Sequence, residues 1–172
     1  RRTEFFLCAN EKIGNRFMKI ISVSGAHSGV GKTKFIESLL KILKGWSVLK
    51  VTVSRNGSCP TEKDCGVCAD LKSGFSIVTE KNVMEEAGKD TQRFKIAGAK
   101  EVIWLRAKPK GLKQGLKKAM HKFKNTTGLL VEGTSALKHI NPDLSVFIKN
   151  KNSVLKPSAK EILKKVDLIL TM

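Results

Sequence analysis

A chain of 172 residues has room for one well-cored domain. Its 33 Lys and Arg against 15 Asp and Glu give a formal net charge of +18, which favours anionic partners, and 41% hydrophobic residues mark it as globular. No apolar run approaches the about 20 residues that cross a bilayer, so a transmembrane helix is set aside.

The opening segment, Arg1-Arg2-Thr3-Glu4-Phe5-Phe6-Leu7-Cys8, is too short in apolar residues for a signal peptide. Met18 directly precedes the first strand-like run, so residues 1–17 read as an N-terminal extension and 18–172 as one domain. A cytoplasmic location is expected, where thiols stay reduced and clustered cysteines suggest metal before disulfide.

In chain order, Ile20–Val23 reads as a strand, and Phe35, Ile36, Leu39, Leu40, Ile42 and Leu43 lie on one face of a helix that Gly45 ends. Ser47–Ser54 is a second strand. Residues 55–74 have no periodicity and hold three cysteines, which suggests an insertion. Phe75–Thr79 reads as a short strand and Asn82–Ala87 is ambiguous. Asp90 is the expected N-cap of a helix to Ala97, closed by Gly98. Glu101–Leu105 is a strand and Lys110–Phe123 a helix with Leu112, Leu116, Ala119, Met120 and Phe123 inward. Gly128–Val131 and Leu144–Ile148 are strands. Ser158 and Glu161 have capping-box spacing for a helix to Val166, and Asp167–Thr171 is the last strand. This alternation predicts a three-layer α/β fold with a mostly parallel sheet and ligands at the carboxyl ends of its strands.

The first strand runs into Ser22-Val-Ser-Gly-Ala-His-Ser-Gly-Val-Gly-Lys-Thr33, which fits the phosphate loop G-x-x-x-x-G-K-[ST] with Ala26 in the first position and Gly25 before it. Glycines let such a loop aim its N–H groups at an anion, and the following helix adds its positive end. Ala26, His27, Ser28, Gly29, Val30, Gly31, Lys32, Thr33 and Lys34 are therefore the candidate nucleotide-binding stretch. Lys32 would face the β- and γ-phosphates, and the Thr33 hydroxyl would meet Mg²⁺. Glu132 ends a buried strand where an acid can hold Mg²⁺ or a water, and Gly133 behind it permits close backbone approach. Asp90 is the second acid, with Lys89 and Arg93 beside it. His27 is expected only to fill its loop position; His121 and His139 read as surface histidines. Lys32, Glu132 and Asp90 are the candidate catalytic set.

Val102 to Val131 contains no acid but eight Lys and Arg, from Arg106 to Lys124. No aromatics interleave with the lysines, so a nucleic-acid platform is not expected.

The order Ala26–Thr33, Gly88-Lys-Asp-Thr-Gln-Arg-Phe94, Ala97-Gly-Ala99 and Val131-Glu-Gly133 resembles the molybdopterin-guanine dinucleotide biosynthesis protein B (MobB) family, over about Met18 to Met172. The resemblance implies a P-loop NTPase fold, a dimeric GTP-binding protein with weak GTPase activity, and help in attaching GMP to molybdopterin beside a partner transferase. It also implies phosphate contacts for Gly29, Gly31, Lys32 and Thr33, and nucleotide or metal roles for Asp90, Arg93 and Glu132. Three departures stand out. Ser54-Arg-Asn-Gly57 replaces the family's usual Lys-His. Asn150-Lys-Asn-Ser153 lacks the acid of the guanine-reading pattern, so GTP over ATP rests on the resemblance. Position 27 is His, where related dimeric ATPases place a second lysine.

Cys59, Cys65 and Cys68 form C-x₅-C-x₂-C, outside the usual family pattern. Two thiolates at C-x₂-C spacing wrap one metal, and Cys59 supplies a third ligand. Zn²⁺ would need a fourth from Cys8, a histidine or a partner chain; an iron–sulfur cluster with one open iron, a redox pair and free thiols are the other readings. A metallochaperone-type GTPase and a nucleotide-dependent adaptor without turnover stay beside the leading reading.

Overall fold

A computed structural model describes residues 18–54, 71, 74–155 and 157–172. The N-terminal extension and the cysteine loop, with Cys8, Cys59, Cys65 and Cys68, lie outside the described residues. The strands are β1 (Lys19–Gly25), β2 (Ser47–Val53), β3 (Phe75–Val78), β4 (Val102–Ala107), β5 (Gly128–Glu132), β6 (Leu144–Lys149) and β7 (Leu168–Thr171). The helices are α1 (Lys32–Ile42), α2 (Lys81–Met84), α3 (Asp90–Ile96), α4 (Leu112–Met120) and α5 (Pro157–Ile162). One seven-stranded sheet has the order β3-β4-β2-β5-β1-β6-β7. Every pairing is parallel except β3 with β4.

Inner strands of such a sheet are covered on both faces and so read as unbroken apolar runs. Every residue of β5 is buried. On one face, Ile36 and Leu40 of α1 and Phe94 of α3 pack on Val23, Val48, Val102 and Leu130. On the other, Leu112, Leu116 and Ala119 of α4 pack on Leu49, Ile103, Leu105 and Leu129. Ala159 and Ile162 of α5 join Ala26, Leu137 and Phe147 in a third cluster. The architecture is therefore the expected three-layer α/β fold. Among the described residues no helix is long and apolar enough to cross a membrane.

Three local expectations are corrected and one open segment is settled. The position before α3 is Lys89, and Asp90 is its first helical residue, so Asp90 is not the N-cap. Asn82–Ala87, ambiguous in sequence, gives its first three residues to α2 and its last three to the turn beyond it. The α4 segment opens with a 3₁₀ turn, Pro109–Gly111, because Pro109 fits a first helical position. Ser158 lies inside α5, which starts at Pro157, and Glu161 pairs with Lys138 instead of closing a capping box. A 3₁₀ turn over Thr134–Lys138, directly after β5, has no counterpart in the sequence reading.

The order places β5 between β1 and β2, so the chain leaves β1 in one direction and β5 in the other. A crevice opens at the carboxyl ends of strands where connections diverge in this way. The β1–α1 loop, the start of α3 and the end of β5 meet there.

Gly128 begins β5 against the Trp46 indole, and a Cβ there would fall 2.5 Å from Trp46 Cε2 and Cζ2. Gly128→Ala should cost about 1–3 kcal/mol, because the ring and the strand cannot both keep their places. Urea unfolding followed by tryptophan fluorescence reads this; an unchanged midpoint would contradict the packing.

Candidate functional site

The loop between β1 and α1 follows from where side chains fit. Gly25 admits none: a Cβ would lie 2.6 Å from Val30 Cγ1. Ala26 is fully buried against Leu137 and Phe147, and its N–H donates to Ile148 O at 2.9 Å. The close-approach glycine therefore stands one place earlier than the strict motif puts it, and Ala26 serves as a core residue. Gly29 and Gly31 have φ of 78° and 104°, values that favour glycine. Gly31 precedes α1 without a side-chain cap, and the first turn carries no acid. The opening N–H groups of α1 thus face the crevice with the positive end of the helix dipole.

A cleft of about 450 Å³ lies over this loop. Ser28 to Lys34 line it together with Asp90, Arg93 and Glu132. Ten candidates separated by up to 104 positions in the chain are thus in one place. Ala26 and His27 are the exceptions. The His27 ring turns away: Nδ1 donates to Ser28 O at 2.7 Å, and Nε2 lies 3.4 Å from Ser153 Oγ. His139 is half-buried rather than on the surface. Lys32 Nζ donates to the His27 carbonyl at 3.1 Å, which holds the ammonium above the loop.

Asp90 uses its carboxylate across the cleft. Oδ1 accepts from Thr33 Oγ1 at 3.1 Å, Oδ2 is ion-paired with Lys50 Nζ, and Arg93 Nη1 is 3.9 Å from Oδ1. Burial pushes the Asp90 carboxyl up, but the bond and charge of Lys50, the Thr33 hydroxyl and Arg93 outweigh it and hold the group below the usual aspartate range.

Glu132 ends β5 opposite Val23 of β1 and Lys50 of β2. It is only 6% exposed, and its Oε2 has no hydrogen-bond partner among the described residues. Burial raises its carboxyl above the usual range, against the charges of Lys50, Lys32 and Arg93; the charge of Asp90 adds to the rise. Gly133 has φ of 148°, and a Cβ there would fall 2.7 Å from Val51 O, so the close approach expected of this glycine is present.

Three residues were missed by sequence reasoning. Lys50 is a lysine inside the apolar run of β2, and that position was its signal. Glu37 grips Arg93 in two bonds, from Nε at 2.7 Å and Nη2 at 2.9 Å, which ties α3 to α1 and commits that face of the guanidinium to protein. Thr134 Oγ1 accepts from Gly25 N at 3.2 Å and donates to Gly25 O at 3.0 Å, pinning the loop entry to the segment after β5.

A Mg²⁺ ion keeps several waters and takes one or two carboxylates beside substrate phosphates. Thr33, Asp90 and the unpartnered oxygen of Glu132 fit that modest demand. Among the described residues no cluster of three or more His, Cys, Asp and Glu forms a fuller metal cage. Compared with known protein families, curated proteins and solved structures, the chain gives no match.

The two acids give opposite pH signatures. Below the unfolded value of 4.5 Glu132 is protonated in both states. As pH rises from there through its higher folded value, the folded chain keeps a proton the unfolded chain has lost, and stability falls. Glu132→Gln should match the parent in acid, gain stability relative to it through that window, and then hold the gain. The Asp90 contribution is complete above 3.8 and is lost as pH falls through its lower folded value. Urea unfolding across about pH 2 to 8 tests both, and parallel Glu132→Gln and parent curves would refute the buried-acid account.

Proposed function

We propose that this chain is a P-loop guanine-nucleotide-binding protein, a weak GTPase that assists molybdenum-cofactor assembly in the manner of the MobB family. The observation that carries the nucleotide reading is the convergence in one cleft of an uncapped helix start, a glycine loop, Lys32, a hydroxyl and two acids. Oxygen-rich anions are what unpaired N–H groups and an ammonium recognise together. The volume suits a small-molecule ligand.

In this reading Lys32 exchanges the His27 carbonyl for phosphate oxygens. Thr33, with Asp90 or Glu132, would hold Mg²⁺, which would supply neutralising charge to the phosphates. Glu132 is nearly buried where it lines the cleft, and its raised carboxyl can hold a proton or accept one from a water bound beside the phosphates. Arg93, bound to Glu37, serves first to place α3.

Guanine rather than adenine, the pterin pathway, the homodimer and the partner transferase are supported by the resemblance of residues 88–94, 97–99 and 131–133. The Asn150–Ser153 segment is a self-closed turn, with Ser153 Oγ accepting from Asn150 N at 2.8 Å, and it approaches the loop at His27. Cys59, Cys65 and Cys68 favour a second reading, a metallochaperone-type GTPase that carries Zn²⁺ or an iron–sulfur cluster for another metalloenzyme. Metal content after anaerobic purification separates the two.

Lys32→Ala should weaken GTP binding by about 100-fold or more, since it removes a charge-assisted phosphate contact from a shielded cleft. Thr33→Ala should leave binding without metal and remove most of its Mg²⁺ enhancement. Calorimetric titration with GTP and ATP, with and without Mg²⁺, measures both. Equal affinity of Lys32→Ala and the parent would end the nucleotide reading.

A further inference from the structure

Lys50 occupies the middle of an inner strand, where a charge is costly unless it is paired. Its neighbours in sequence, Leu49 and Val51, point into the α4 side of the core. Its own side chain runs to the opposite face and is largely buried there. The ammonium binds Asp90 Oδ2 and lies 5.8 Å from the centre of the Trp104 ring, the residue opposite it on β4. On the other side its register partner is Glu132. Of the charges around Glu132, that of Lys50 does most to oppose the effect of burial.

A cation thus stands between two carboxylates that both line the cleft. Both Asp90 oxygens are engaged, one by Lys50 and one by the Thr33 hydroxyl. A divalent ion seeking Thr33 and Asp90 meets groups already bound to one another, and it meets Glu132 across the strand from the same ammonium. We propose that Lys50 is a positioning residue, a tethered cation that holds Asp90 in place, offsets the charge of Glu132 across the strand and competes with Mg²⁺ for the site, so that the site takes Mg²⁺ only together with nucleotide phosphates. The proposal rests on the reading of the cleft as a Mg²⁺–nucleotide site. Phosphate oxygens add the ligands that let the metal win, and each ligand then raises the affinity for the other by the same factor.

The test uses Mg²⁺ alone, at constant ionic strength, in thermal melting of the full chain. The parent and Lys50→Arg, which keeps the charge, should show no shift. Lys50→Met keeps the stem length but leaves the two acids without their cation. It should melt higher with Mg²⁺, by about 4 °C at ten times its dissociation constant. Adding Asp90→Asn to Lys50→Met should remove the response, which ties it to this carboxylate and not to the surface. A Lys50→Met response no larger than that of the parent would overturn the proposal, as would one that survives Asp90→Asn.

Should Lys50→Met fail to fold, titration of the parent decides. Its Mg²⁺ affinity should be at least about tenfold higher with GTP present than without, and equal affinities would overturn the proposal. GTP affinity of Lys50→Met is recorded alongside. Retained GTP binding without the Mg²⁺ response defeats the Lys50 role alone. A parent that binds no nucleotide defeats the functional reading, and the Mg²⁺ melting series then still decides whether Lys50 holds the place of a metal.

Discussion

Two carboxylates reach the same cleft from different elements, Asp90 from the start of α3 and Glu132 from the end of β5. Like charges in a shielded place must be offset or one must keep its proton. The sheet meets this constraint with Lys50, whose position between β4 and β5 puts its ammonium against Asp90 and across from Glu132. The remaining imbalance shows in the two acids moving apart, Asp90 down and Glu132 up. Burial drives Glu132 up, and the Lys50 and Thr33 bonds bring Asp90 down. Moving Lys50 by one residue would send its side chain to the α4 face and leave both acids without it.

The loop beside them is held from below and from the side. Gly25 and Ala26 anchor it in the sheet and the α5 cluster, and Thr134 clasps the Gly25 backbone from the segment after β5. The strand that delivers Glu132 thus also delivers the residue that fixes the loop entry. Loop and acid cannot shift independently, which is what a site must ensure if its anion-binding and metal-binding halves are to meet one ligand.

Much of this was legible in the sequence. Strand runs, the helix faces and the loop were written in local patterns: unbroken Val, Ile and Leu for inner strands, a 3.6-residue repeat for α4, and Gly-Lys-Thr after a strand. What escaped was long-range or competitive. Asp90 has the chemistry of an N-cap, and only the fold shows that Lys89 takes that position while the Asp90 side chain is drawn to Thr33 and Lys50. The partners of Glu37 and Lys50 were invisible because they lie 56 and 40 positions away in the chain. Ala26 stands where the pattern has glycine, and packing shows that the close-approach glycine is Gly25, one place earlier.

A run of positive charge lies away from the site. On the α1–α3 side, Lys50, Lys89, Arg93 and Lys95 each meet an acid. On the α4 side, Lys110, Lys113, Lys117, Lys118 and Lys122 are exposed and meet none among the described residues. Exposed charges on the far face of a sheet act through salt water, where their field fades over about 8–10 Å. They can speed the arrival of an anion but add little to its hold once bound. The selectivity of the cleft for phosphate must therefore come from its own groups, the loop amides, the head of α1 and Lys32, and the net charge of the chain is no measure of it.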